Sequence, residues 1–181
     1  NRGYEELVAY SRSQLDLEDE ESIQKSAYKL KEHSVRLVVN ATGLLHNEDQ
    51  KPEKSLRELN TTSLTKSFAI NAIGPALVLK HFIPILPRRG RSTIAHLSAR
   101  VGSIGDNRLG GWYGYRASKA ALNQLIHTAA IELARTHPEA ICIALHPGTV
   151  KTKLSSPYIQ GNHNPTDPIA AAKNLLSVIK K

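Results

Sequence analysis

Three short apolar runs constrain the architecture more than any other feature: Val35-Arg36-Leu37-Val38-Val39, Ser92-Thr93-Ile94-Ala95-His96-Leu97 and Ile141-Cys142-Ile143-Ala144-Leu145. Each is stopped by turn-forming chain: Asn40-Ala41-Thr42-Gly43 after the first, a glycine-rich loop through Gly111 after the second, Pro147-Gly148 after the third. Strands that are apolar along their length are buried on both faces, and helices between them can provide that cover. The intervening chain has the required pattern. From Thr65 to Phe82 apolar residues recur at Phe68, Ala72, Ala76, Leu79 and Phe82, with Gly74-Pro75 predicting a kink or a close approach. A second long helix is expected over Tyr113–Thr136, and Asp167-Pro168 supplies the N-cap and first turn of a last one. Before the first run, Glu6–Tyr10 and Leu15-Asp16-Leu17 read as short strands. Between them and that run, a helix opened by the acidic Asp19-Glu20-Glu21 should bury Ile23, Ala27 and Leu30. Strands alternating with helices give an α/β fold with a parallel sheet, read as one domain over residues 1–181.

Composition narrows the function classes. Twenty-four Lys and Arg against 16 Asp and Glu leave a net charge of +8, compatible with nucleic acid, an acidic membrane face or a phosphorylated cofactor. The basic residues are dispersed, with Arg88-Arg89-Arg91, Lys151/Lys153 and Lys180-Lys181 the densest groups, and no aromatic residues interleave them. That argues against a nucleic-acid partner. No stretch reads as a membrane span and no leader is recognised, so no membrane partner is expected. A single cysteine, Cys142, and no Cys/His cluster fit a reducing, cytoplasmic setting without structural metal. The absence of methionine and the abrupt Asn1-Arg2-Gly3-Tyr4 start lead us to expect a chain incomplete at its N-terminus, and internally and C-terminally as well.

The densest chemical signal is Tyr113-Gly114-Tyr115-Arg116-Ala117-Ser118-Lys119. Four residues apart on a helix, Tyr115 and Lys119 share a face. A phenol with a pKa near 10 is a poor acid–base catalyst at neutral pH, and a nearby ammonium favours its ionised form. The spacing alone is common by chance. Its setting is not: the chain resembles the short-chain dehydrogenase/reductase family over essentially its whole length. Asn40-Ala41-Thr42-Gly43 is similar to the family's Asn-Asn-Ala-Gly element beside the cofactor, with Ala41 replacing the second asparagine. Asn71 matches the asparagine whose main chain holds a proton-relay water. Tyr115 and Lys119 match the catalytic pair. Pro147-Gly148-Thr149-Val150-Lys151-Thr152 matches the segment that grips the nicotinamide carboxamide, with Pro147, Gly148 and Val150 lining it and Thr152 in the bonding position. The run from Leu97 to Asn123 is similar to the C-factor/Sniffer-type carbonyl reductase branch.

The resemblance implies a Rossmann-type doubly wound sheet and hydride transfer between NADP and a small carbonyl or alcohol substrate. In that reading Tyr115 donates the proton, Lys119 lowers its pKa and orients the ribose, and Asn71 anchors the relay water. Asp16 and the adjacent Leu17 fall where the family contacts adenine, although Asp16 is as readily a helix-capping acid. Arg12 falls where a basic residue pairs with a 2′-phosphate, which favours NADP over NAD. Two departures matter. The glycine-rich turn that seats the pyrophosphate is absent and expected upstream of Asn1, with Asn1–Tyr4 resembling the tail of the helix that follows it; the stretch from Arg12 to Leu15 is too short for the family's next helix. The serine that polarises the carbonyl is replaced by Ala99, leaving Ser98 and Ser103 as alternatives, with Ser103 favoured for its place in the substrate-facing loop. A weakly catalytic, dinucleotide-binding signalling protein of C-factor type is the alternative function, and a homodimer or homotetramer is expected by analogy. The substrate itself is not legible; the loop after Thr152 should select it.

Overall fold

The computed structural model describes residues 6–159 and 164–181. In chain order the elements are α1 (Glu20–Tyr28), β1 (Leu37–Asn40), α2 (Thr61–Phe68), a π-helical turn (Ala69–Ile73), α3 (Gly74–Phe82), β2 (Ser92–Leu97), α4 (Tyr113–Thr136), β3 (Ala140–Leu145) and α5 (Pro168–Ile179). The three strands are parallel in the order β1-β2-β3, with Asn40, His96 and Ala144 level across the sheet.

Alternate residues of each strand serve opposite faces, and both faces are covered. Val38, Ile94, Cys142 and Ala144 pack with Ile23 and Ala27 of α1, Val78, Leu79 and Phe82 of α3, and Leu122 and Ile126 of α4. Leu37, Ala95, Leu97, Ile143 and Leu145 meet Leu175, Leu176 and Ile179 of α5. This is the doubly wound α/β arrangement. Each fully buried aliphatic side chain, such as Ile23, Ile94 or Leu122, contributes about 1.5–3 kcal/mol. Asp19 caps α1 through the Glu21 amide, and Asp167 caps α5 through the amides of Ile169 and Ala170, with Pro168 in the first turn.

Three expectations are corrected. Glu6–Tyr10 is not a strand: no neighbouring strand among the described residues pairs with it, and Leu7 is 90% exposed. Leu15–Leu17 is not a strand either, because Asp16 folds into a turn, accepting from the Glu18 amide, while Leu17 drives into the core. The helix expected from Thr65 starts earlier, at Thr61, where Asn60 caps the Ser63 amide. Continuous helix over Thr61–Ile85 has a mean hydropathy of 1.5 in its most apolar window, long and apolar enough by that measure to cross a bilayer, contrary to the sequence expectation. Here its Val78, Leu79 and Phe82 lie in the core beneath the sheet. The π turn falls immediately before Gly74, where a Cβ would lie 2.6 Å from both Leu17 Cβ and Leu17 O, so the interruption is a close approach to the α1 approach loop. Asn1–Tyr4 lies outside the described residues.

Candidate active site

Parallel register brings the ends of all three strands to one edge, where ligands of open α/β sheets bind. Asn40 closes β1. Its Oδ1 accepts from the Thr42 amide (3.1 Å) and from Thr42 Oγ1 (2.5 Å), leaving its Nδ2 facing His96 Nδ1 at 3.3 Å. The Asn40 side chain therefore shapes the turn in which Ala41, Thr42 and Gly43 are exposed. With Asn40 donating, His96 carries its proton on Nε2, which is fully buried without a hydrogen-bond partner among the described residues. Burial, reinforced by the Lys119 charge, holds the His96 pKa down at about 4.

Asn71 is fully buried at the centre of the π turn. Its Oδ1 accepts from the Leu44 amide (2.7 Å), and its Nδ2 donates to the Leu44 carbonyl (2.8 Å) and Ser118 Oγ (3.1 Å). One side chain thus pins the turn after β1 to α4. Lys119, also buried, donates from Nζ to the Leu97 carbonyl at 2.8 Å, and its Nζ stands 5.9 Å from the centre of the Tyr115 ring. At Gly43 a Cβ would lie 3.5 Å from both Lys119 Nζ and Asn71 Oδ1. Asn40–Gly43, Asn71, Tyr115 and Lys119 are therefore brought together. Burial pushes the Tyr115 phenol up from its ordinary value and lowers the Lys119 ammonium to about 8. The downward pull of Lys119 on the phenol, implied by the resemblance, does not set the direction. The ammonium is drawn to Leu97 O, and desolvation of the ring dominates.

The two serines differ. Ser98 Oγ donates to Asn123 Oδ1 at 2.6 Å, one helical turn beyond Lys119, whereas Ser103 is exposed where the 3₁₀ turn Arg100–Gly102 ends. Ser103 borders two clefts, of about 420 and 530 Å³. The smaller is walled by Ile104, Asn107, Tyr113 and Arg116; the larger by Ser98, Asn123 and His146, beside the Arg100–Asp106 ion pair.

After β3, Gly148 adopts φ +77° with open space around it, and Val150 bridges to Thr166. Thr152 Oγ1 lies 3.3 Å from Ser155 Oγ, which also donates to the Val150 carbonyl. Pro147 is half-buried and Thr152 exposed. Arg12 is 69% exposed, bonded to Glu18 Oε2 (2.9 Å) and 3.8 Å from Asp16; Glu18 also holds Lys66. Leu17 is core, its side chain against the position of Gly74.

Several site residues escaped the sequence reading. Trp112 stacks edge-to-face on Tyr158 (5.0 Å) and Tyr115 (6.3 Å), and Tyr158 on His46 (5.4 Å). His46 Nε2 lies 3.1 Å from Leu154 O, so this row of rings links the loops after β1 and β3. Glu53 is buried against the start of α4. The Trp112-Tyr113-Gly114-Tyr115 aromatic cluster was the available signal for the first; nothing local marked Glu53.

The profile of a family described as short chain dehydrogenase matches residues 5–162. The chain is 36% identical over 104 residues to the C-signal of Myxococcus xanthus, covering 57% of this chain and 61% of that protein. Its fold is similar to an NADPH-bound carbonyl reductase from chicken fatty liver, at 26% identity and a TM-score of 0.77, covering 91% of this chain and 67% of that one. It is also similar to the carbonyl reductase Sniffer of Drosophila melanogaster, at 24% identity and a TM-score of 0.76, covering 92% and 69%. The chain thus spans between about three fifths and seven tenths of these relatives.

Proposed function

The chain belongs to the short-chain dehydrogenase family, in its carbonyl reductase and C-signal branch, and from that premise we propose that it reduces a carbonyl substrate with NADPH. The observation that carries this reading is the Tyr115–Lys119 pair beside Asn71 at the sheet's ligand-binding edge. The residues suit the nicotinamide end of a dinucleotide: Gly43 leaves Lys119 Nζ approachable from the β1 turn, and Gly148 leaves open space after β3. Asn40–Gly43, Pro147, Gly148, Val150 and Thr152 would hold that end, and Arg12 the 2′-phosphate, exchanging its bond to Glu18 for one to phosphate. NADPH, when bound, supplies the hydride.

The chain's own part is proton delivery and positioning. Tyr115, whose proton is held firmly by burial, gives it to the oxygen of the reduced carbonyl. Lys119 lies between the phenol and the β1 turn, where its charge offsets the phenolate that results. Ser103, or Ser98 after leaving Asn123, donates to the substrate oxygen. Asn71 fixes the π turn whose main chain would hold the water that reprotonates Tyr115. A raised phenol favours the reductive direction at neutral pH; alcohol oxidation needs the phenolate and should require alkaline conditions.

The likeness to C-signal and the Ala99 substitution favour a second reading, dinucleotide binding in a signalling role with little turnover. Titration of the full-length protein with NADPH and NADH, followed by fluorescence, separates these possibilities. Tighter NADPH than NADH binding together with turnover on a carbonyl panel supports the reductase. NADPH binding without turnover supports the second reading, and no binding of either sinks both.

A further inference from the structure

The N-terminus of α4 presents Tyr115 yet has no local cap. Trp112 occupies the N-cap position in the left-handed region (φ +53°) and provides no side-chain acceptor. It ends a run of three left-handed residues, after Gly110 (φ +65°) and Gly111 (φ +62°). For a non-glycine residue that conformation is strained and persists only where the surroundings impose it. The opening amides of a helix also need acceptors from outside it.

Glu53, 61 residues away in sequence, meets both requirements. Its main-chain carbonyl accepts from the Trp112 amide at 2.5 Å, and its carboxylate Oε2 accepts from the Gly114 amide at 3.1 Å. Only 3% of its surface is exposed, and no Lys or Arg pairs with it among the described residues. The positive end of α4 is therefore the compensation for its charge. Oε1 has no hydrogen-bond partner among the described residues and lies where a Cβ on Gly114 would come within 2.9 Å, with Ser67 Oγ 3.2 Å from the same point. Gln50 ties the start of the segment to α2, donating to Ser67 Oγ (2.8 Å) and the Ser63 carbonyl (3.3 Å). The loop from Gln50 to Glu53 is thus wedged between α2 and the first turn of α4.

We propose that Glu53 is a positioning residue: by clamping Trp112 and Gly114 it fixes the first turn of α4 and so places the Tyr115 hydroxyl. The consequence for turnover rests on Tyr115 being the proton donor. Glu53→Ala in the full chain removes the carboxylate bond and should lower kcat for NADPH-dependent reduction about tenfold or more, with NADPH affinity within about twofold. Glu53→Gln retains an amide oxygen for Gly114 and should restore kcat to within about threefold of the parent. Hydrogen exchange, which needs no turnover, should rise over residues 112–117 in the alanine variant but not in the glutamine variant, with residues 119–136 unchanged in both. Unaltered kcat and exchange in Glu53→Ala overturns the proposal, as does a glutamine variant no better than alanine. Should Glu53→Ala fail to fold, Gly114→Ala forces the carboxylate aside, and unaltered exchange over 112–117 in that variant overturns it. If the parent chain reduces no carbonyl, the functional reading fails, and the exchange comparison alone decides the clamp.

Discussion

Burial pushes both Tyr115 and Lys119 towards their neutral forms, keeping the proton on the phenol and bringing the ammonium down to about 8. At pH 7 both groups still hold their protons, the state a reductive half-reaction needs. Removing only the phenolic hydroxyl should therefore remove the proton donor and little else. Tyr115→Phe is expected to cut turnover by about 10²–10⁴, the usual size of general-acid catalysis, while NADPH affinity stays within about twofold. Turnover within a factor of about three of the parent would refute proton donation by Tyr115. This pair was readable because its geometry is local: four residues along one helix fix a shared face whatever the rest of the chain does. The protonation state was not readable, because it depends on what covers the ring. Glu53 and Tyr158 were invisible for a related reason, since each acquires its role from partners tens of residues away. The choice between Ser98 and Ser103 gained a physical distinction only once Asn123 was seen to hold the Ser98 hydroxyl.

The elements that were legible carry their signals within themselves. β2 runs over the apolar residues that define it, α4 spans the expected Tyr113–Thr136, and α5 begins at the Asp167-Pro168 cap. Glu6–Tyr10 failed because a strand needs a neighbour, and pairing is not written in a five-residue window. The π turn was likewise announced only indirectly, by Gly74-Pro75. Its Asn71 ties two secondary elements together, and this gives a prediction at the same scale. Asn71→Ala removes the partners of both the amide and the carbonyl of Leu44, and loses the bond to Ser118. Each polar group orphaned in a buried setting costs about 1–3 kcal/mol, so the unfolding free energy should fall by about 3 kcal/mol in urea denaturation. A loss below about 1 kcal/mol would mean that water replaces the asparagine freely and that the turn after β1 is not held by it.

At the scale of the whole molecule, the polar layer beneath the site makes stability depend on pH in two separate windows. The His96 pKa is depressed from 6.5 to about 4, by burial first and the Lys119 charge second. Between those values the unfolded chain binds the extra proton, so the stabilisation is complete above pH 6.5 and is lost as pH falls, by about 3 kcal/mol on reaching pH 4. Glu20 and Asp106, whose carboxyls are lowered by Lys80 and Arg100 respectively, are exposed and act mainly nearer their own acidic range. Lys119 works in the other window. Its pKa is depressed from 10.5 to about 8, so at pH 7 the fold bears the full cost of burying its charge, and stability should rise by about 1 kcal/mol from pH 7 to 9 as that charge is relieved. Above pH 9 the Cys142 thiol, pushed up to about 11 by burial, opposes the rise, because the unfolded thiol ionises first. Urea unfolding across pH 4–9 in the parent, His96→Gln and Lys119→Met separates the contributions. The glutamine variant should make the limb below pH 6.5 shallower, leaving the part contributed by His146, which burial and then Arg100 also lower, and the methionine variant should flatten the rise between 8 and 9. Because the Lys119 charge also presses on His96, Lys119→Met should let the His96 pKa rise and so make the acid limb shallower, its lower end moving to higher pH. Acid limbs that run parallel in the parent and His96→Gln would refute the depressed His96 pKa as a source of the acid limb.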